Sequence, residues 1–280
     1  MRKNDIILFM RDLIKDKNSD VLYRKWDAPE TETVLVLIHG LGAQSARWDA
    51  LGEFFLGNGI SSYAIELKGF GETECEKGHV DSFKIYFDDI EALTLIARVE
   101  HPGKKVFILG ESLGGLIAFH EASLYPDIFD GTILISPAFF SRLKFSFMEY
   151  LRMFAANLYD PRRRFNMPFD AEMCTKDEDY QTLLNNDPGE HRFATAKLLW
   201  CTFMSQIKSV FRAGKLKTPV LFLLAGEDSL ASPEVSKVIF ERVKTTDKKI
   251  IVYPAMSHAL SIELGKEKVF GDILDWINKR

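Results

Sequence analysis

Cysteine is scarce in this 280-residue chain: Cys75, Cys174 and Cys201 are its three, odd in number, far apart and without a C-x-x-C pair. That excludes a disulfide framework and leaves no zinc-binding pattern. An excess of one charge is also missing. The 36 Lys and Arg against 40 Asp and Glu give a formal net charge of -4 and a pI near 5.9. The basic surplus of nucleic-acid-binding domains is absent, so no nucleic-acid partner is expected. Apolar runs such as 34–38 and 220–225 fall far short of the roughly 18 residues that a membrane-spanning helix needs. The apolar patch at 6–10 is interrupted by Arg11 and Asp12 and followed by no small-residue cleavage site. It does not read as a signal peptide, and a cytoplasmic location is the expectation. Peripheral contact with a membrane through an exposed apolar surface stays open, and nothing sets the oligomeric state.

What is there suits one sizeable core, with 46% hydrophobic and 27% charged residues. Short β-branched and leucine-rich runs at 34–38, 62–65, 106–109, 131–135, 220–224 and 249–253 read as buried strands. Segments of helical spacing lie between them, at 45–56, 82–99, 113–125, 233–243 and 266–277. The alternation predicts a mostly parallel, doubly wound sheet flanked by helices. Asp81-Ser82 and Ser232-Pro233 supply helix starts, and Gly57 is expected just past a helix end. Between about 139 and 215 strand-like runs vanish and Phe, Met, Leu and Arg take over with helical periodicity. The expectation is a single domain over 1–280 with a helical cap inserted at 141–211.

The segment 106–118, VFILGESLGGLIA, is a buried strand, a G-x-S-x-G turn and a helix, the context of a nucleophile elbow. Ser112 sits in the turn, with glycine at 110, 114 and 115 where larger side chains would clash. A helix start beside Ser112 favours developing negative charge, so the Leu113 N–H is one oxyanion donor. A serine hydroxyl needs a histidine base, and the histidine an acid that fixes its tautomer. In chain order serine, acid, histidine, the acid comes from the polar turn Gly226-Glu227-Asp228 after strand 220–224. Asp228 is the first choice and Glu227 the fallback. His258, on the loop after the last strand, is the base. Upstream, Ile38-His39-Gly40-Leu41-Gly42 follows the first strongly apolar strand, and its glycine-rich turn offers the Leu41 N–H as the second oxyanion donor. His39, ahead of Ser112 and beside those glycines, is read as holding that loop.

With these pieces assembled, the chain resembles the monoacylglycerol lipase and lysophospholipase-like branch of the α/β-hydrolase superfamily over nearly its whole length. The carriers are His39-Gly40-Leu41-Gly42, Glu66-Leu67-Lys68-Gly69-Phe70-Gly71-Glu72-Thr73, Gly78-His79-Val80-Asp81-Ser82-Phe83 and Asp88-Asp89. Ile135-Ser136-Pro137-Ala138 resembles the entry to the family's cap, and Asn185-Asn186-Asp187-Pro188 the polar link late in it. The resemblance implies the α/β-hydrolase fold, the triad Ser112, Asp228 and His258, and the backbone N–H groups of Leu41 and Leu113 as the oxyanion hole. The chain departs from the pattern at Glu111, where many members have histidine, and at Phe70 and Glu72 to Thr73. A carboxylate beside the nucleophile bears on local pKa values and substrate preference.

The chemistry expected is a two-step acyl transfer on a carboxylic ester through an acyl-enzyme, requiring no metal or organic cofactor. An apolar cap over the sheet's carboxyl edge would favour a lipid-like acyl chain, at roughly 0.8 kcal/mol per buried CH₂. Most of the cap aromatics are nevertheless expected to pack the cap onto the core. The run Arg162-Arg163-Arg164 suits either an anionic head group or a solvated face, the latter being the commoner use. Competing readings are a lysophospholipase, a thioesterase, amidase or perhydrolase on the same triad, and a ligand-binding protein that has lost turnover.

Overall fold

Residues 11–280 are described by the computed structural model, so the stretch 6–10 discussed above lies outside the described residues. Two strands precede the expected ones, β1 (Ile14–Lys15) and β2 (Leu22–Trp26). Then come β3 (Thr33–Ile38), β4 (Ser61–Glu66), β5 (Lys105–Glu111) and β6 (Gly131–Ile135). One eight-stranded sheet runs β1-β2-β4-β3-β5-β6 and ends in β9 (Val220–Ala225) and β10 (Lys248–Tyr253). The pairs β1–β2 and β2–β4 are antiparallel; from β4 to β10 every neighbour is parallel. β1 is two residues long and β2 carries Arg24 and Lys25 side by side in its middle, so neither shows as an apolar run.

The inner parallel strands β3, β5, β6 and β9 are largely apolar on both sides because helices cover both faces, while the edge strand β10 is only partly buried. On β3, Val34, Val36 and Ile38 face one apolar cluster while Leu35 and Leu37 face the other. The first cluster takes in α2 (Phe83–Glu100), α3 (Leu113–Leu124) and α8 (Pro233–Arg242) through Ile90, Leu116 and Ile239. The second takes in α1 (Asp49–Gly57) and α9 (Lys266–Ile277) through Leu51, Phe55, Phe270 and Trp276. Each such side chain contributes about 1.5–3 kcal/mol on burial. Helix starts follow the sequence signals: Ser82 accepts from Lys84 N–H at 3.2 Å, and Ser232 from Val235 N–H at 3.2 Å with Pro233 in the first turn. Gly57, expected past a helix end, is instead the last residue of α1. The left-handed position falls on Gly59 (φ 75°), whose N–H reaches back to the Leu56 carbonyl.

Between β6 and β9 the chain forms α4 (Phe147–Tyr159), β7 (Arg164–Asn166), α5 (Ala171–Cys174), α6 (Glu178–Asn186), β8 (Phe193–Thr195) and α7 (Ala196–Arg212). The expected lack of strands here is corrected by β7 and β8, which pair antiparallel outside the main sheet. At three residues each they are too short to show a period of two.

The chain order of the strands reverses at β3, which has β4 on one side and β5 on the other. At such a switch point the loops leaving the two strands diverge and open a crevice at their carboxyl ends. The loops leaving β3 and β5 carry Gly40 and Ser112.

Candidate active site

Ser112 stands between β5 and α3 with φ 57° and ψ -119°, a left-handed backbone that a non-glycine residue adopts only when its surroundings impose it. The clamps are visible. Ser112 N–H donates to the Ile135 carbonyl of β6 at 2.9 Å, and the Ser112 carbonyl accepts from Leu116 and Ala138 N–H at 3.1 and 2.9 Å. The glycines around it are contact requirements: a Cβ at Gly114 would lie 2.0 Å from the Ile38 carbonyl oxygen, and one at Gly110 2.2 Å from that of Gly114. Small residues therefore let α3 start directly against the end of β3. On the other side, a Cβ at Gly40 would lie 3.2 Å from Ser112 Cβ and 3.7 Å from its Oγ. Among the described residues neither Leu41 N–H nor Leu113 N–H donates a hydrogen bond.

Asp228 and His258 come together from the loops after β9 and β10, adjacent strands. The His258 Nδ1 lies 2.9 and 2.8 Å from the two carboxylate oxygens of Asp228, and both residues are buried. Burial pushes the Asp228 carboxyl up. The His258 charge and hydrogen bond, with N–H donors from Ala231 and Leu230 at 2.8 and 2.9 Å, more than offset this and hold it below the ordinary carboxylate range. Burial likewise lowers His258, but Asp228, and less strongly Glu111, raise it above the usual imidazole value. The fallback acid is elsewhere: Glu227 accepts from Lys176 Nζ at 2.7 Å in an exposed ion pair. Among the described residues no hydrogen bond joins Ser112 Oγ to His258, an arrangement common where substrate is needed to tighten the contact.

His39 is buried and holds two backbone groups, Nε2 accepting from Leu67 N–H at 3.1 Å and Nδ1 lying 2.9 Å from the Gly40 carbonyl. Burial lowers its pKa, so it serves this loop as neutral imidazole.

Sequence reading missed how the insertion grips the same loop. His191 N–H donates to the Gly42 carbonyl at 3.0 Å, and Gln44 reaches both oxygens of Asp187 at 2.8 and 2.7 Å. Arg47 forms a largely buried ion pair with Glu190. The Asn185-Asn186-Asp187-Pro188 stretch was the only signal that this region mattered, and its partners lie some 143 positions away. The three arginines 162–164 are engaged locally. Arg162 and Arg164 face Glu76, and Arg163 and Arg164 lie over Phe165 and Phe193. A groove of about 390 Å³ between α2, α3 and α7, lined by Phe83, His120, Trp200 and Lys208, is separate from Ser112. No cluster of three His, Cys, Asp or Glu side chains set to hold a metal ion occurs among the described residues.

A serine on a strained strand-to-helix turn, a buried Asp-His pair on the following strand loops and a doubly wound sheet with a helical insertion define an α/β-hydrolase. The chain belongs to the family described as serine aminopeptidase, S33, whose model matches residues 29–265. It is 28% identical over 271 residues to human monoglyceride lipase, covering 94% of this chain and 89% of that protein. Phospholipase YtpA of Bacillus subtilis is 28% identical over 253 residues, covering 88% of this chain and 95% of its own. The crystal structure of Paleococcus ferrophilus monoacylglycerol lipase superposes with a TM-score of 0.83 at 29% identity, over 91% of this chain and 97% of that one. Within the family the chain sits on the monoacylglycerol lipase-like branch.

Proposed function

We propose that this protein is a carboxylic ester hydrolase for substrates with an apolar acyl chain, a monoacylglycerol lipase-like enzyme working through Ser112, His258 and Asp228. The observation that carries the reading is the buried Asp228–His258 hydrogen bond at 2.8 Å on loops beside the strained Ser112 turn. In this mechanism His258 takes the Ser112 proton as Oγ attacks the ester carbonyl, and Asp228 stabilises the imidazolium. The oxyanion accepts from Leu41 and Leu113 N–H, the alcohol leaves with the proton from His258, and water then releases the acid by the same steps. His258 carries every proton transfer in this sequence.

The insertion is the cap of this reading, its Asp187–His191 stretch fastened to the loop that carries Leu41. Its outer face suits peripheral membrane contact: Phe147, Leu158 and Phe211 are exposed on α4 and α7. No helix among the described residues is long and apolar enough to span a membrane. Cys75, Cys174 and Cys201 are free thiols, which fits a cytoplasmic, reducing location.

A second reading, a lysophospholipase, is favoured by the likeness to a phospholipase. The local engagement of Arg162, Arg163 and Arg164 weighs against it, because these cations already have partners.

The test is fluorophosphonate labelling and turnover of p-nitrophenyl esters over a chain-length series, with Ser112→Ala as control. Labelling that disappears in Ser112→Ala, and kcat/KM that rises with acyl length, are expected. No labelling and no turnover by folded wild type would sink the reading, while inert esters beside reactive thioesters or amides would move it to those substrates. A monoacylglycerol and a lysophospholipid of equal chain length separate the two lipid readings.

A further inference from the structure

The residue before the nucleophile is a buried carboxylate that the mechanism above does not use. Glu111 closes β5, so its backbone is continuous with Ser112, yet its side chain reaches the loop that carries the base. Oε1 accepts from Ser261 N–H at 3.1 Å and Oε2 from Ser261 Oγ at 2.8 Å, and Ser261 lies three positions after His258. The same loop is closed on itself by Glu263, which accepts from Ser257 N–H at 2.9 Å. Glu111 is thus the anchor between the nucleophile's strand and the histidine's loop, across 150 positions of sequence.

The surroundings of Glu111 also fix what its charge does. His258 faces it from the loop after β10, and Arg47 from the loop after β3, where Arg47 is paired with Glu190 of the insertion. Cys174 of α5 lies near Arg47 and Glu111, its thiol pushed up to about 11 by burial and hence uncharged. His258 in turn faces Asp228, Glu111 and Arg47. Burial raises the pKa of Glu111, opposed by the two Ser261 donors, by His258 and by Arg47. A backbone N–H can only donate, so at least Oε1 is held as an acceptor. A negative charge close to an imidazole in a water-poor site favours the imidazolium.

We propose that Glu111 is a positioning residue of the acyl-transfer reaction, a second carboxylate that holds the His258 loop through Ser261 and favours the imidazolium formed when Ser112 loses its proton. This rests on the hydrolase reading above. Activity needs neutral His258 to accept that proton, so the acid limb of the pH profile marks loss of a proton from His258. Removing the Glu111 charge makes His258 easier to deprotonate and moves that limb to lower pH. It also weakens support for the imidazolium in the transition state.

The experiment is the pH dependence of kcat and KM on a short p-nitrophenyl ester for wild type, Glu111→Gln, Glu111→Asp and Ser261→Ala, with thermal unfolding as the check on folding. Glu111→Gln is expected to shift the acid limb down by about half a pH unit or more and to lower the plateau kcat roughly threefold to tenfold. Glu111→Asp, which keeps the charge, is expected to leave the limb in place. A folded Glu111→Gln variant with the wild-type limb overturns the proposal. If that variant does not fold, Ser261→Ala decides: a kcat roughly threefold or more below wild type with unchanged KM is expected, and wild-type kcat overturns it. Failure of wild type itself to react with fluorophosphonate or ester would instead be failure of the hydrolase reading.

Discussion

Strand β9 buries all six of its residues, while helix α4 of the insertion, with Phe, Met, Tyr and Leu at most positions, buries only Ala156. Phe147 and Leu158 of α4 are 79% and 76% exposed, whereas Val34 to Ile38 of β3 are fully buried. The two regions are similarly apolar and differ in what their apolar surface does. The sheet uses its apolar surface for stability and thereby makes the loop ends rigid enough to hold a strained serine. The insertion leaves much of its apolar surface facing outward, where it adds little to stability. Apolar packing joins the regions through buried Met167, Ala194 and Leu198 of the insertion, and polar links add Gln44 with Asp187 and Arg47 with Glu190.

The proposed mechanism puts the chemistry on the sheet, and its sharpest test is Asp228→Asn. That change keeps the shape of the acid but leaves His258 with the wrong tautomer, and kcat should fall on the order of 10³- to 10⁴-fold. Glu227→Gln, which removes only an exposed ion pair with Lys176, should leave kcat near wild type. The reverse result would move the acid to Glu227. The pair also gives stability and activity different pH windows. Asp228 is depressed, so its contribution is present above the ordinary range near 3.9 and lost as pH falls through the lower folded value. His258 is raised, so its contribution is full below about 6.5 and lost as pH rises through the higher folded value. Asp228→Asn should therefore cost most in Tm between about pH 4 and 6.5, while wild-type activity should rise with pH through the raised pKa of His258.

Two glycines ask whether sheet and insertion differ in rigidity. A methyl at Gly114 would meet the Ile38 and His39 carbonyl oxygens at 2.0 and 2.6 Å, both backbone and both inside the core. A methyl at Gly42 would meet the His191 carbonyl oxygen of the insertion at 2.0 Å, on a residue with φ 76°. Gly114→Ala should destabilise the fold by about 1–3 kcal/mol or more, because neither strand nor helix can retreat. Gly42→Ala should cost about 1–2 kcal/mol of backbone strain but act mainly by pushing the insertion away from the Leu41 loop, with a larger fall in kcat than in Tm. Equal losses of Tm in the two variants would mean that the insertion is as unyielding as the core.

What could be read in the sequence follows the same division. The parallel strands, the elbow and the loops of Asp228 and His258 were legible because burial writes short apolar runs, unbroken in β9, and the turn demands glycine at 110, 114 and 115. The short strands β7 and β8 and the contacts of Asp187, Glu190 and His191 with the Gly42 to Arg47 loop were not. They depend on partners far along the chain, and three-residue strands carry no period. Glu111 is intermediate: its oddity beside Ser112 was visible, but its partner Ser261 required the fold.

The smallest effect expected on the folded protein comes from α4. Phe147→Ser and Leu158→Ser remove side chains that touch mostly solvent, so the unfolding free energy should stay within about 0.5 kcal/mol of wild type. Turnover of a soluble short-chain ester should also be unchanged, because neither residue belongs to the Ser112 surroundings. If the outward apolar face of the insertion enters a lipid surface, each side chain gains roughly 1.5–3 kcal/mol there, and each substitution should weaken sedimentation with phosphatidylcholine vesicles severalfold or more. Turnover of a long-chain monoacylglycerol presented in those vesicles should fall in parallel. Unchanged vesicle binding in the double variant would remove the membrane from the account and leave the exposed face of α4 without a function, while the assignment of the chemistry to the sheet would stand.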